Sequence, residues 1–185
     1  MARAGLDREA VVLSAASLAD EQGLDAVTLG ALALRLGVRT PSLYNHIAGL
    51  SGLRCELALL GIRELSRRLA RAALGTSGDD AVRSIALAYR AFAREHPGLY
   101  AASLRPDVRD PEQQEAGREV VDIALAVLAP YGLRGDAAIH AVRGLRSALH
   151  GFASLEAAGA FDLPLDRDQS FEYLICLFIS GLRRQ

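Results

Sequence analysis

Apolar residues recur every third or fourth position along this 185-residue chain, and no stretch alternates apolar with polar residues as a half-buried strand does. That spacing gathers into a stripe on a helix but scatters over both faces of a strand, so the chain is expected to be all-α. Glycine and proline divide it into segments. A first helix is expected over about Asp7 to Gln22, with Val12, Ala15, Ala16 and Ala19 on one face and Gly23 as its stop. Thr28 caps a second helix running through Leu36. Gly37 ends that one, Arg39 or Thr40 opens a third with Pro41 in its first turn, and Ala48-Gly49 closes it. A long helix over Ser51 to Leu74 stops at "GTSGDD". Further helices are expected over Asp80 to Glu95, Glu112 to Leu128, Gly135 to Ala158 and Asp168 to Arg183. His96-Pro97-Gly98 reads as a terminator, and Pro106 and Pro111 as loop residues. The expected architecture is a three-helix domain over residues 1–50 and a helical bundle over 51–185, about nine helices in all.

An apolar fraction of 51% is enough to build a core at this length. Basic residues number 21 and acidic residues 22, and every basic residue is an arginine. Coating nucleic acid of any sequence requires a charge excess that this balance lacks. Charge is uneven, however. Between Val27 and Cys55 there is no Asp or Glu, while Arg35, Arg39 and Arg54 contribute three positive charges. Cys55 and Cys176 each sit in an apolar helical run, which suits small buried hydrophobes better than a disulfide. Met1 to Leu6 has no apolar signal region, and runs such as Tyr173 to Ile179 fall far short of the ~20 residues of a membrane span. A cytoplasmic protein is expected.

The acid-free segment contains "GVRTPSLYNHI", residues 37–47. A short helix, a turn beginning at glycine and a second short helix is the helix-turn-helix layout, whose second helix lies in the major groove of DNA. Leu43 and Ile47, four apart, form an anchoring strip, leaving Thr40, Ser42, Tyr44, Asn45 and His46 to face outward. Asn45 suits adenine, Thr40 and Ser42 suit any base, and Pro41 suits a thymine methyl; Tyr44 and His46 are better placed for phosphates. Thr28, Arg39 and Arg54 complete the candidate DNA-contacting set. By spacing alone, an ordinary helical hairpin with a solvated face fits equally well.

The run "TLGALALRLGVRTPSLYNHI" resembles the DNA-binding segment of the TetR family of bacterial repressors, through Leu32-Ala33, Leu36-Gly37-Val38, Ser42-Leu43-Tyr44 and His46-Ile47. The resemblance implies that Tyr44 and His46 touch phosphates and that Thr40, Pro41, Ser42 and Asn45 face bases. Two positions depart from the pattern. Leu50 stands where the family usually has a lysine, with Arg54 as a substitute, and Ile47 stands where phenylalanine is frequent.

Farther along, "EHPGLYAAS", "LHGFASLEAAGAF" and "SFEYLICLFISGL" resemble the ligand-binding domain of TetR relatives named for a Trp-His-Gly motif. His150-Gly151 match that motif and Leu149 replaces the tryptophan. On the helix from Gly135, Ala138, Val142, Leu145, Leu149 and Phe152 share a core-facing stripe, and Gly144, Ala148 and Gly151 form a strip of small residues. With Phe171, Leu174, Ile175, Phe178 and Leu182 of the last helix, the small strip is expected to form a four-helix dimer interface.

A small, largely apolar effector with one polar or anionic group is expected beside Tyr89, Phe92, Tyr100, His140 and Arg143. His140 and His150 lie ten residues apart, ~15 Å along a helix, with no partners at ligand spacing, so no metal and no cofactor is expected. No nucleophile or phosphate-loop motif is present either. The expected function is that of a homodimeric, ligand-responsive repressor of a pseudo-palindromic operator in double-stranded DNA. The alternative is a helical-bundle enzyme or small-molecule-binding protein.

Overall fold

A computed structural model describes residues 6–184. The reading of the N-terminus as free of a signal region falls, for residues 1–5, outside the described residues. Among the described residues there are nine α-helices and no strand: α1 Arg8–Gln22, α2 Leu29–Leu36, α3 Thr40–Leu43, α4 Gly49–Ala73, α5 Gly78–Glu95, α6 Pro97–Ser103, α7 Pro111–Leu128, α8 Gly135–Ala157 and α9 Arg167–Leu182. Short 3-10 turns occupy Leu24–Ala26 and Ala129–Tyr131. No described helix is long and apolar enough to cross a membrane.

The chain divides into two compact units, one of Met1–Glu64 with Glu95–Ala116 and the other of Leu65–Arg94 with Gly117–Gln185. In the first unit, the Asp7 carboxylate accepts from Ala10 N at 2.7 Å and the Thr28 hydroxyl accepts from Ala31 N at 3.1 Å, so α1 and α2 both begin with side-chain caps. Val11, Ala15, Ala19, Leu32, Leu43, Leu53 and Leu57 are buried at the centre of this unit.

Helix α6 departs from the sequence reading, in which His96-Pro97-Gly98 only ended a helix. Pro97 instead occupies the first turn of α6, where its missing N–H leaves no hydrogen bond unmade. The cap comes from elsewhere in the chain: the Asp20 carboxylate on α1 accepts from Leu99 N at 2.9 Å and meets the His96 ring at 2.8 Å. Gly98 and Gly61 allow the close approach this requires, since a Cβ on Gly61 would fall 2.6 Å from the Leu99 carbonyl oxygen.

The second unit is centred on Val82, Ile85, Phe92, Leu128, Leu145, Leu149, Phe171 and Ile175, all buried. Leu149, standing where the Trp-His-Gly relatives have tryptophan, is one of these core residues. Arg90 of α5 is only 5% exposed. Its guanidinium donates to both Glu156 carboxylate oxygens, at 2.8 and 2.6 Å, pairs with Asp168 at 2.9 Å, and lies 5.1 and 4.8 Å from the ring centroids of Phe152 and Phe171. A buried charge is tolerable only when paired and hydrogen-bonded in this way. Cys55 and Cys176 are free and half-buried, less sheltered than their apolar neighbourhoods suggested. The Cys176 sulfur accepts from Arg83 at 3.3 Å.

Candidate functional site

The segment from Thr28 to Arg54 is built in order from its residue types. Helix α2 ends because Gly37 takes the left-handed conformation, φ 66° and ψ 31°, which an L side chain rarely adopts, and Val38 N donates back to Ala33 O at 3.0 Å. Arg39 is extended, and Pro41 sits in the first turn of α3. Regular helix then stops at Leu43, four residues before the expected end. Tyr44 to His46 form a turn in which Tyr44 N donates to Pro41 O and both His46 N and Ile47 N converge on Leu43 O. The reason is local: two amides compete for one carbonyl, and Gly49, at φ 68°, turns the chain where α4 begins.

Leu43 and Ile47 are both buried, as the four-residue spacing predicts, and each contributes about 1.5–3 kcal/mol by leaving water. Around that anchor Tyr44 is 61% exposed, Pro41, Asn45, Arg39, Thr28 and Arg54 are exposed, and Thr40, Ser42 and His46 are half-buried. All nine candidate contact residues therefore reach the surface in part or in full. Tyr44 lies beside Gly49, its ring 3.9 Å from where a Cβ on that glycine would stand. The local charge is smaller than the sequence implied. Glu21 of α1 accepts both guanidinium nitrogens of Arg35 at 2.7 Å, and that hydrogen bonding holds its carboxyl below the usual range, so Arg35 is already matched while Arg39 and Arg54 remain at the surface.

The other predicted residues are placed differently. Tyr89 and Phe92 are core residues of the second unit, with the Arg68 guanidinium 5.6 Å from the Phe92 ring centroid, and Tyr100 is a core residue of the first. His140 and Arg143 are exposed on α8. On α9, Phe171, Ile175 and Leu182 are buried within the chain itself and have no surface left for a partner. They pack inward because α8 lies against α9: Phe171 meets Phe152 edge-on at 5.0 Å, and a Cβ on Gly144 would stand 3.5 Å from the half-buried Phe178 ring. Ala148 and Gly151 are half-buried. The apolar groups left exposed are Tyr173 and Leu177 on α9 and Leu155 on α8, which the sequence reading passed over. Tyr173 and Leu177 are also four apart, so the signal was a second apolar stripe on the same helix. Among the described residues no group of three or more His, Cys, Asp or Glu side chains is placed to hold a metal ion.

Residues 82–178 match the family model described as "Tetracyclin repressor-like, C-terminal domain". The chain is 41% identical over 181 residues to the uncharacterized HTH-type transcriptional regulator YobS of Bacillus subtilis, covering 97% of this chain and 94% of that one. It is 39% identical over 184 residues to the uncharacterized HTH-type transcriptional regulator Rv0681 of Mycobacterium tuberculosis, covering 98% and 84%. The fold is similar to that of the Streptomyces coelicolor TetR family protein ActR in complex with (S)-DNPA, with a TM-score of 0.70, 19% identity and 98% of each chain covered.

Proposed function

The chain belongs to the TetR family of transcriptional regulators, which are not enzymes, and from that premise we propose that it is a cytoplasmic homodimeric repressor that releases its operator on binding a small effector. The observation that carries this reading is the exposed array on and after α3, with Pro41, Tyr44 and Asn45 outermost, held by buried Leu43 and Ile47. Tyr44 and His46 grip phosphates, Thr40, Pro41, Ser42 and Asn45 read base edges, and Thr28, Arg39 and Arg54 add backbone contacts. Residues 1–50 act as the DNA-binding domain and residues 51–185 as the ligand-binding and dimerisation domain.

In the dimer, Leu155, Tyr173 and Leu177 meet a second copy, with Gly144, Ala148 and Gly151 letting the helices approach and Phe178 at the edge of the contact. Leu155, Tyr173 and Leu177 are exposed apolar side chains on α8 and α9, and symmetric pairing is the usual way to cover such groups. ActR binds (S)-DNPA; here the effector is a small, largely apolar molecule that acts in the second unit near Tyr89 and Phe92, with His140 and Arg143 in supporting roles. It must favour one spacing of the two recognition segments, since equal affinity for both would shift nothing.

The test is fluorescence anisotropy with duplex DNA from the region flanking the gene. Tyr44→Ala should weaken binding to every operator variant alike. Asn45→Ala should change the preferred base, at ~1–3 kcal/mol for the lost contact. Parent-like binding by the Tyr44 variant would exclude this segment as the DNA-reading surface.

A further inference from the structure

In the second unit α4, α5 and α7 leave a groove of about 300 Å³ between them. Two ties hold its walls. The Ser66 hydroxyl of α4 donates to Glu119 of α7 at 3.3 Å, and the Tyr131 hydroxyl donates to Asp79 at 2.7 Å, joining the turn after α7 to the first turn of α5. Beyond the first tie the seam runs past Ala70 and Ala73 on α4 and Ile123 and Ala126 on α7, and the alanine side chains are too short to fill it. Ala81 and Val127, both buried, complete the apolar lining with Pro130. The polar lining is confined to Thr76 and Ser77, in the turn between α4 and α5. The Thr76 hydroxyl donates back to Ala73 O at 3.1 Å, which leaves its oxygen able to accept.

Among the described residues that line this space none is charged, and Asp79, two residues along from Ser77, already meets Tyr131 and Arg183. An ion seated here would give up water with no opposite charge to replace it, whereas a hydrocarbon gains by leaving water and a hydroxyl keeps a partner. The volume lies at the small end of the roughly 300–1,000 Å³ range of ligand clefts, which suits a compact ligand. We propose that the groove binds a small neutral molecule, its hydrocarbon body between Ala70, Ala73, Ile123 and Ala126 and its one hydroxyl donating to Thr76. This goes beyond the effector reading and does not rest on it, since the groove shares no residue with the group around Tyr89 and Phe92.

The experiment is an NMR titration of the full chain with three molecules that share one ring: cyclohexylmethanol, cyclohexanecarboxylate and cyclohexylmethylammonium. The alcohol should bind, and the anion and the cation should each be about tenfold or more weaker, because neither finds a countercharge. Ala70 and Ala126 are exposed on opposite walls, so Ala70→Phe and Ala126→Phe each fill the space between them. Either should weaken the alcohol about tenfold or more. Thr76→Val keeps the shape of the side chain and removes the acceptor, so it should weaken the alcohol severalfold, the worth of one hydrogen bond. Unliganded melting curves establish that each variant is folded, and the two filling variants lie on different helices, so that one serves if the other unfolds. Absence of alcohol binding, an ion bound as tightly as the alcohol, or parent-like affinity in a folded filling variant or in Thr76→Val would overturn the proposal.

Discussion

Gly98 of α6 lies so close to Ala19 of α1 that a Cβ built on it would stand 2.1 Å from the Ala19 carbonyl carbon and 2.2 Å from the carbonyl oxygen. Those are backbone atoms, which cannot swing aside as a side-chain end can. Gly98→Ala should push α6 away from α1 and disturb the Asp20 cap, costing about 1–3 kcal/mol. A urea melt with an unchanged midpoint would show that the two backbones do not touch in solution.

The Arg90 cluster predicts unequal effects from its two carboxylates. Glu156 is nearly buried and Asp168 is mostly exposed. Glu156→Gln leaves a buried guanidinium with only the exposed Asp168 as its charge partner and should cost up to about 3–5 kcal/mol. Asp168→Asn should cost less than about 1 kcal/mol. Equal losses in thermal melts would contradict the burial difference.

The same pair sets an acid limit. Hydrogen bonding from Arg90 holds the Glu156 carboxyl below the usual range, so the folded chain takes up this proton less readily than the unfolded one. Stability from the pair is complete above the unfolded value of about 4.3 and is lost as pH falls through the lower folded value. The parent should lose stability over that interval, and Glu156→Gln should lose less. Identical acid slopes for the two would remove Glu156 as the group responsible.

Tyr131 should be visible in an alkaline titration. Burial, and then its hydrogen bond to Asp79 at 2.7 Å, push the phenol up to about 12. Because the folded value is the raised one, stability from this group is present below about pH 10 and declines as pH approaches 12. Ultraviolet difference spectra should show a late phenolate step that Tyr131→Phe abolishes. Its persistence in that variant would assign it to another tyrosine.

Two positions on α9 separate assembly from folding. Leu177 is 54% exposed and Ile175 2%. Leu177→Asp should give a folded monomer, whereas Ile175→Asp buries a charge without a partner and should unfold the chain. Sedimentation of a folded dimer for Leu177→Asp would remove this face from the interface.

The contrast between Leu177 and Ile175 also shows where the sequence stopped being informative. Periodicity located α9 to within a residue, because a stripe of apolar groups is a property of the helix alone. Which of its two stripes the chain covers for itself depends on how α8 packs, and that is decided by Phe152 and Gly144, in another helix. The start of α6 was hidden for a similar reason, since the carboxylate that caps it belongs to Asp20, 79 residues away from the amide it accepts. The exposed groups around Leu43 and Ile47 were legible in advance, because a four-residue spacing between two anchors fixes what is left outside.

Only Leu43 and Ile47 of residues 40–47 are buried, and regular helix covers just the first four of the eight. Pro41, Tyr44 and Asn45 can be exchanged with little effect on packing, so drift at these sites meets almost no stability threshold. Descendants of one ancestral scaffold can therefore diverge in what they read while folding alike. A library randomised at positions 41, 44 and 45 should yield mostly folded members with melting temperatures near that of the parent.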